Sequence, residues 1–436
     1  MMKRPEKTRP APTPRQAPAA AAIELTILHL AAGGDGAARL DDGSVIHVPF
    51  ALPGERVRAI PDGPGHARLE AVLSASPDRV TPPCPHFGSC GGCALQHLAD
   101  GAYAAWKQDR LRHALARAGY PDANVAALRR TPPGTRRRMD FCAQRISGGI
   151  LFGLHAAGTK TVIDIDTCPV LHPSLVALLP ALRTSLTGLA GLRHSADVAI
   201  NLLDTGPDIL IRADGPPAPT DRAKLADFCR AHDVARIAWA QGAGQPEIVA
   251  QIAAPAISYA GVSVSPPPGA FLQAAPAGEA AIVASVRAGL PGKLTRRSRI
   301  IELYAGIGTL CFPLATAAPV TAYEGNAAAH AVLSRAAGGT RVTPVLRDLV
   351  RQPLQIKELA GAAAVVLDPP FAGAAAQMPT LAASKVAVII YVSCNPAALT
   401  RDAAVLHAAG YALATATPID QFLWSAQVES VAVFTR

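Results

Sequence analysis

The chain is 436 residues long, half of them hydrophobic and 17% charged. That length exceeds what one hydrophobic core holds, so roughly two to four domains are expected, with enough apolar residues to fill them. Lys and Arg outnumber Asp and Glu by 41 to 32, which permits a polyanionic partner without demanding one; no apolar run approaches the ~20 residues of a membrane-spanning helix, so a membrane role is excluded.

Residues 1–22 carry Lys3, Arg4, Lys7, Arg9 and Arg15 against Glu6 and are biased to Pro and Ala. Without the apolar centre of a signal peptide, they read as a disordered basic tail of a cytoplasmic protein. From residue 23 to 80, short alternating runs broken by Gly, Asp and Pro predict a small antiparallel β-barrel. Its hairpin turns fall at Gly34–Gly36 and Asp42–Gly43.

"TPPCPHFGSCGGC" then breaks all periodicity. Cys84, Cys90 and Cys93 are separated by five and two residues, and Cys168 in "IDTCPVLHP" offers a fourth thiolate. On spacing alone an iron–sulfur cluster, a structural zinc and unligated thiols all remain open. Three cysteines within ten residues plus a remote fourth favour the cluster. Cys142, Cys229 and Cys311 sit in apolar or helical settings and read as core residues.

A helix is expected at about 98–118, then strands such as "DVAINLLDT" and "PDILIRA" with a helix at 221–232. "SPPPGAF" at 265–271 looks like a boundary. Beyond it strands and helices alternate, which predicts a parallel, doubly wound sheet in a domain covering 268–436. The cluster and central region take 81–267.

"IIELYAGIGTL" places Gly306 and Gly308 where a strand opens into a helix, a turn that lets a ligand approach the backbone. Glu324 ends the next strand, sixteen residues past Gly308, where a carboxylate can accept both hydroxyls of a ribose. Asp348 and Asp368 end the third and fourth strands; each is equally an ordinary helix cap. The glycine pattern and the Tyr304-Ala305 lead-in suit adenosylmethionine better than a dinucleotide.

"AVIIYVSCNPAALTRD" carries Cys394 at the lip of a core strand, in front of a proline. A thiolate there can add to an electron-poor ring carbon, activating its neighbour toward a sulfonium methyl. Glu429, a lone carboxylate in "QVESVAVF", can remove the proton that the methyl displaces. Each has a bland alternative, a buried small hydrophobe for Cys394 and a solvated edge-strand charge for Glu429. Phe271 is a candidate for stacking against an unpaired base, or for packing between domains. Arg136–Arg138 and Arg145 are candidates for holding phosphates, or a solvated strand face.

Over about residues 23–436 these motifs resemble the bacterial RNA 5-methyluridine methyltransferases that carry an N-terminal TRAM barrel and a 4Fe–4S cluster. The resemblance implies cluster ligation by Cys84, Cys90, Cys93 and Cys168. It implies adenosylmethionine contacts at Gln273 of "FLQAAPAGEA", Tyr304, Glu324, Asp348 and Asp368. It makes Cys394 the nucleophile and Glu429 the base. Ala275, Phe371 and Gln427 depart from the family pattern, where Asn, Arg and His are common. The expected protein is a monomeric enzyme acting on RNA, ribosomal first and transfer RNA as the alternative. A cluster-bearing RNA-binding protein without methyl transfer is the second alternative.

Overall fold

A computed structural model of the protein describes residues 21–295 and 297–436. The tail expected over residues 1–22 lies, up to residue 20, outside the described residues. The chain forms two compact units that part between Arg79 and Val80.

The first unit is a six-stranded sheet built from short strands between Ile23 and Ser74. Alternate residues Leu25, Ile46, Val48, Val57 and Ala59 point into one small core, as the period of two requires. Both expected turns form. Gly34 and Gly43 take φ of 92° and 85°, and Asp42 fixes the second turn by accepting from the Ser44 backbone N–H at 2.9 Å. Buried Glu55 closes the unit, accepting two hydrogen bonds from Arg79 at 2.5 and 2.7 Å.

The second unit contains two large sheets. The first has seven strands in the spatial order Val162–Asp164, Gly149–His155, Arg138–Ile146, Ser195–Leu203, Gly206–Ala213, Arg236–Gln241 and Glu247–Gln251. Helix Pro173–Thr187 buries Leu175, Leu178, Leu179, Leu182 and Leu186, the stripe that a 3.6-residue period lines up on one face. Each such leucine contributes about 1.5–3 kcal/mol of burial. Helix Pro219–Ala231 adds Leu225, Phe228 and Cys229 to the same core.

The second sheet is doubly wound. We label its strands β1 (Arg299–Leu303), β2 (Val320–Glu324), β3 (Val342–Leu346), β4 (Ala362–Leu367), β5 (Val388–Ser393), β6 (Ala412–Asp420) and β7 (Glu429–Thr435). Their order is β3-β2-β1-β4-β5-β7-β6, with the two-residue strand Arg129–Arg130 at the edge. Strands β1 to β5 run parallel, while β7 is antiparallel to both β5 and β6. The β5 sequence is buried at all six positions, the mark of a strand covered on both faces.

This topology positions the site. Ligands of such sheets lie beyond the carboxyl ends of the parallel strands. Because β7 is reversed, its first residue, Glu429, arrives at that same edge. The helix expected at 98–118 spans Asp100–Arg117 and packs on helix Pro396–Ala408 through Thr400 Oγ1, which donates to the Ala114 carbonyl at 3.0 Å. Segments before and after residue 268 therefore contribute to one compact unit.

Candidate active site

Strand register brings Cys394 and Glu429 together. Ser393 pairs with Ser430, so the next residue of β5 lies beside the preceding residue of β7. Cys394 is half-buried at the lip, and Asn395 caps the following helix by accepting from the Ala397 N–H at 3.0 Å. Pro396 at the first helical position ends the strand there. Glu429 is 3% exposed and on an inner strand, so the solvated edge-strand alternative is overturned.

A line of hydrogen bonds joins Glu429 to Asp368. Gln421 Nε2 donates to Glu429 Oε2 at 2.8 Å and to Gln273 Oε1 at 2.7 Å. Gln273 Nε2 in turn donates to Asp368 Oδ2 at 3.1 Å. Glu429 Oε1 is buried and has no hydrogen-bond partner among the described residues. Burial, reinforced by the Asp368 charge, pushes the Glu429 carboxyl up to about 8, and burial raises Asp368 to about 7. Two buried acids this close hold a proton near neutrality. Burial first, then the carboxylates of Glu429 and Asp368, push the Cys394 thiol up to about 12.

The glycine turn follows β1. Tyr304, Gly306 and Gly308 take φ of 65°, 57° and 111°, left-handed values that turn the chain sharply out of the strand, with the Gly308 N–H closing the turn on the Ala305 carbonyl at 3.0 Å. A Cβ on Gly306 would meet nothing within 4 Å, whereas one on Gly308 would sit 2.2 Å from the Phe312 ring. The Glu324 carboxylate accepts from the Gly306 N–H at 2.7 Å and from the Asn326 N–H at 2.6 Å. Asp348 caps the turn after β3 by accepting from Val350 and Arg351 N–H at 3.0 and 3.1 Å.

The loop after Asp368 is held from behind. Arg401 Nη2 donates to the Ala372 carbonyl at 2.9 Å, and Asp402 accepts from the Ala374 N–H at 2.7 Å and Tyr391 Oη at 2.6 Å. Phe371 is thereby left 59% exposed, and Phe271 is 63% exposed with the Arg138 guanidinium 4.8 Å from its ring centre. Packing of Phe271 in a closed interior is thus ruled out.

The expected phosphate-holding arginines need correction. Arg136 Nε donates to the Arg138 carbonyl at 2.9 Å. Arg137 pairs with Glu279 at 2.5 Å and donates to the Gln273 carbonyl, and Arg145 donates to three carbonyls, of Thr187, Leu189 and Leu192. These three are engaged with backbone carbonyls or Glu279; Arg138 makes a longer contact, with Asp140 at 3.4 Å, and stands over the exposed Phe271 ring.

The departures from the family pattern also have local readings. Ala275 is the N-cap of helix Pro276–Ala288 and makes no side-chain cap. Gln427 is exposed, and the Glu429 Oε1 atom has no hydrogen-bond partner among the described residues.

A second site lies in the same unit. Cys84, Cys90, Cys93 and Cys168 line one cavity of about 260 Å³, with Arg136, Leu423 and Ser425 in its wall. Gly91 is required here, since a Cβ would lie 2.8 Å from the His155 carbonyl oxygen. Burial and neighbouring cysteines push the Cys93 thiol up to about 12, and the Cys168 thiol is raised by burial, then lowered by the Arg136 charge among other contacts. Cys229 and Cys311 are fully buried core residues, and Cys142 is half-buried.

Sequence reasoning missed the residues that support the site. Asp420 ends β6 and Gln421 follows it, and Asp420 forms a buried ion pair with Lys107. The signal for Lys107 was its place in the stripe Tyr103, Lys107, Leu111, Ala114 on a helix face. Glu302, within β1, is buried with Oε2 unpartnered among the described residues and is raised well above the usual carboxyl range, first by burial and then by Asp368 and Glu324. Such an acid amid aliphatic residues was visible in "IIELYAG".

A doubly wound sheet with a glycine turn, an acid ending β2 and a thiol–carboxyl pair at its carboxyl edge defines a methyltransferase. No family model matches the chain. It is 41% identical over 417 residues to an uncharacterized RNA methyltransferase of Brucella melitensis, covering 95% of this chain and 98% of that one. It is 34% identical over 435 residues to the 23S rRNA (uracil(1939)-C(5))-methyltransferase RlmD of Chromohalobacter salexigens, covering 96% and 90%. The fold matches the crystal structure of the Pyrococcus abyssi tRNA (uracil-54, C5)-methyltransferase in complex with S-adenosyl-L-homocysteine, with a TM-score of 0.73 and 21% identity over 94% of this chain and 99% of that one. The chain belongs to the family of RNA methyltransferases that includes RlmD.

Proposed function

We propose that the protein transfers the methyl group of S-adenosylmethionine to carbon 5 of a uridine in RNA. The observation that carries this reading is the Glu429 carboxyl, buried with Oε1 unpartnered beside the half-exposed Cys394 thiol. A buried acid oxygen left without a donor is costly unless a ligand completes it. Adenosylmethionine supplies an electrophilic methyl on a sulfonium.

Cys394 Sγ, as thiolate, bonds to carbon 6 of uracil, and the electron pair of the ring double bond moves into the carbon 4 carbonyl. Carbon 5 then takes the methyl. Glu429 accepts the carbon 5 proton, and the carbon 6–sulfur bond breaks as the ring double bond re-forms, which returns the thiolate. Burial and the Glu429 and Asp368 carboxylates hold the Cys394 thiol high, so its proton leaves to solvent before addition, and Glu429 is ionised when it accepts the carbon 5 proton.

In this reading Gln273 faces the methionyl part, Tyr304 the adenosyl group and Glu324 the ribose hydroxyls. Asp368 and Asp348 complete the donor pocket. The open space over Gly306 leaves room for such a ligand to approach the backbone. Exposed Phe271 and Phe371, with Arg138, offer stacking faces to an RNA base taken out of its helix. Ribosomal RNA is the proposed substrate, in keeping with the RlmD relatives, and transfer RNA is the second reading, in keeping with the fold match. A protein that only binds RNA has no use for the Cys394–Glu429 pair.

We assign the four-cysteine cavity to a 4Fe–4S cluster. A structural zinc draws its four sulfurs to about 2.3 Å, leaving no void. Here the four thiols border about 260 Å³, space of the kind a cluster fills. Arg136 in the wall offsets part of a cluster's negative charge. When bound, such a cluster supplies a rigid four-point anchor or an electron-transfer centre. The reading further assigns residues 23–80 to a TRAM-like barrel, 81–267 to a cluster and RNA-binding region and 268–436 to the methyltransferase domain, in a monomeric cytoplasmic enzyme.

The test incubates the purified protein with labelled adenosylmethionine and ribosomal or transfer RNA from cells lacking it. Label in 5-methyluridine is expected; label in another nucleoside, or none, overturns the reading. Anaerobically purified protein should be brown, with about four irons per chain; colourless, zinc-bearing protein overturns the cluster.

A further inference from the structure

Gln421 occupies the centre of the hydrogen-bond line at the active site, and its amide can be placed only one way round. Its Oε1 accepts from the Ala274 backbone N–H at 3.0 Å. Its Nε2 then has to face Glu429 Oε2 and Gln273 Oε1, both acceptors. The reversed amide would set oxygen against two oxygens and NH2 against an N–H, losing three contacts in a buried setting.

The orientation of one amide therefore propagates in two directions. Gln273 Oε1 is occupied, so its NH2 is turned to Asp368. Glu429 Oε2 is occupied, so Oε1 is the oxygen left for a ligand. Gln421 is itself fixed from three sides. Asp420, the preceding residue, is held by Lys107 and, at its carbonyl, by Thr131 Oγ1 at 2.7 Å. On the other side Trp424 accepts from the Ala94 and Leu95 N–H groups at 2.8 and 3.0 Å. A Cβ on Gly278 would stand 2.6 Å from Gln421 Cβ, so only glycine in that helix leaves room for the side chain.

We propose that Gln421 is the positioning residue of the base: it holds the Glu429 carboxyl so that Oε1 meets the carbon 5 proton, and so governs release of the methylated RNA from Cys394. The inference rests on the reading of Glu429 as base. Gln421 touches no reacting atom and acts through Glu429. Its hydrogen bond also favours the ionised form of that carboxyl, so its loss moves the proton-accepting form to higher pH.

The test compares full-length wild type, Glu429→Gln and Gln421→Leu on unmodified RNA with saturating adenosylmethionine. Product is measured by mass spectrometry, and the covalent RNA–protein complex on denaturing gels, at pH 7 and pH 9. Leucine keeps most of the volume and removes the amide. We expect kcat to fall by about 10- to 100-fold at pH 7 in Gln421→Leu. A methylated covalent complex should accumulate as in Glu429→Gln, and should resolve at pH 9 in Gln421→Leu alone.

If Glu429→Gln accumulates the complex while Gln421→Leu turns over at the wild-type rate, or loses product with no complex, the positioning role is wrong and the base assignment stands. If Glu429→Gln accumulates nothing, the base assignment itself falls, and the positioning role with it. Gln421→Met, unbranched and of similar length, carries the same comparison should the leucine variant not fold.

Discussion

Replacing Glu429 by Gln should stabilise the protein above neutral pH while it stops turnover. The carboxyl is 3% exposed and lifted from 4.5 to about 8, first by burial and then by Asp368. A folded-state value above the unfolded one means that the group's contribution is fully present below pH 4.5 and is lost as pH rises through 8. The shift corresponds to at most about 5 kcal/mol; Asp368 shares it, and the new amide leaves an NH2 unpartnered at a cost of about 1–3 kcal/mol. The variant should therefore be level with wild type or up to about 2 kcal/mol less stable near pH 5, and exceed it by about 1–3 kcal/mol at pH 8–9. Urea unfolding across pH 5–9, followed through the fluorescence of buried Trp239 and Trp424, measures the difference. Parallel pH curves for the two proteins would refute the argument, because they would mean that Glu429 is not held as a destabilised buried acid.

Other perturbations follow from the same geometry. Gly308→Ala forces a Cβ into the Phe312 ring at a φ of 111°, and calorimetry should find binding of S-adenosylhomocysteine weakened at least tenfold. Lys107→Met leaves Asp420 buried without its cation and should cost about 3–5 kcal/mol by thermal unfolding, largely recovered by adding Asp420→Asn. Phe371→Ala removes an exposed ring next to the site and should raise KM for RNA by about 5- to 100-fold through lost stacking, with KM for adenosylmethionine unchanged in steady-state assays.

The elements that sequence reasoning found are those whose signal is local. Alternation of strands and helices after residue 268 gave the doubly wound sheet, and acids ending successive strands marked the ligand edge. Cys394 in front of Asn395-Pro396 announced a strand end by turn chemistry alone. What stayed hidden depends on partners far apart in sequence. Gln421 and Gln273 are 148 positions apart, and Lys107 and Asp420 are 313 apart. No spacing rule connects such pairs. The arginines of "TRRRM" misled for a related reason: a run of positive charge reads as a surface for phosphate, but two of its three members turn inward to satisfy carbonyls and Glu279. Charge composition states what a segment can bind and leaves open whether the fold has already used it.

The central claim is a transient bond between Cys394 and the uracil ring, and 5-fluorouridine tests it most directly because fluorine at carbon 5 cannot leave as a proton. RNA carrying this base, incubated with the protein and adenosylmethionine, should give one covalent complex per chain that survives denaturation. Proteolysis and mass spectrometry should place the methylated nucleotide on the peptide containing Cys394, and Cys394→Ala should give none. Methylated uridine from natural RNA, together with no trapped complex or with attachment at another residue, would contradict the account.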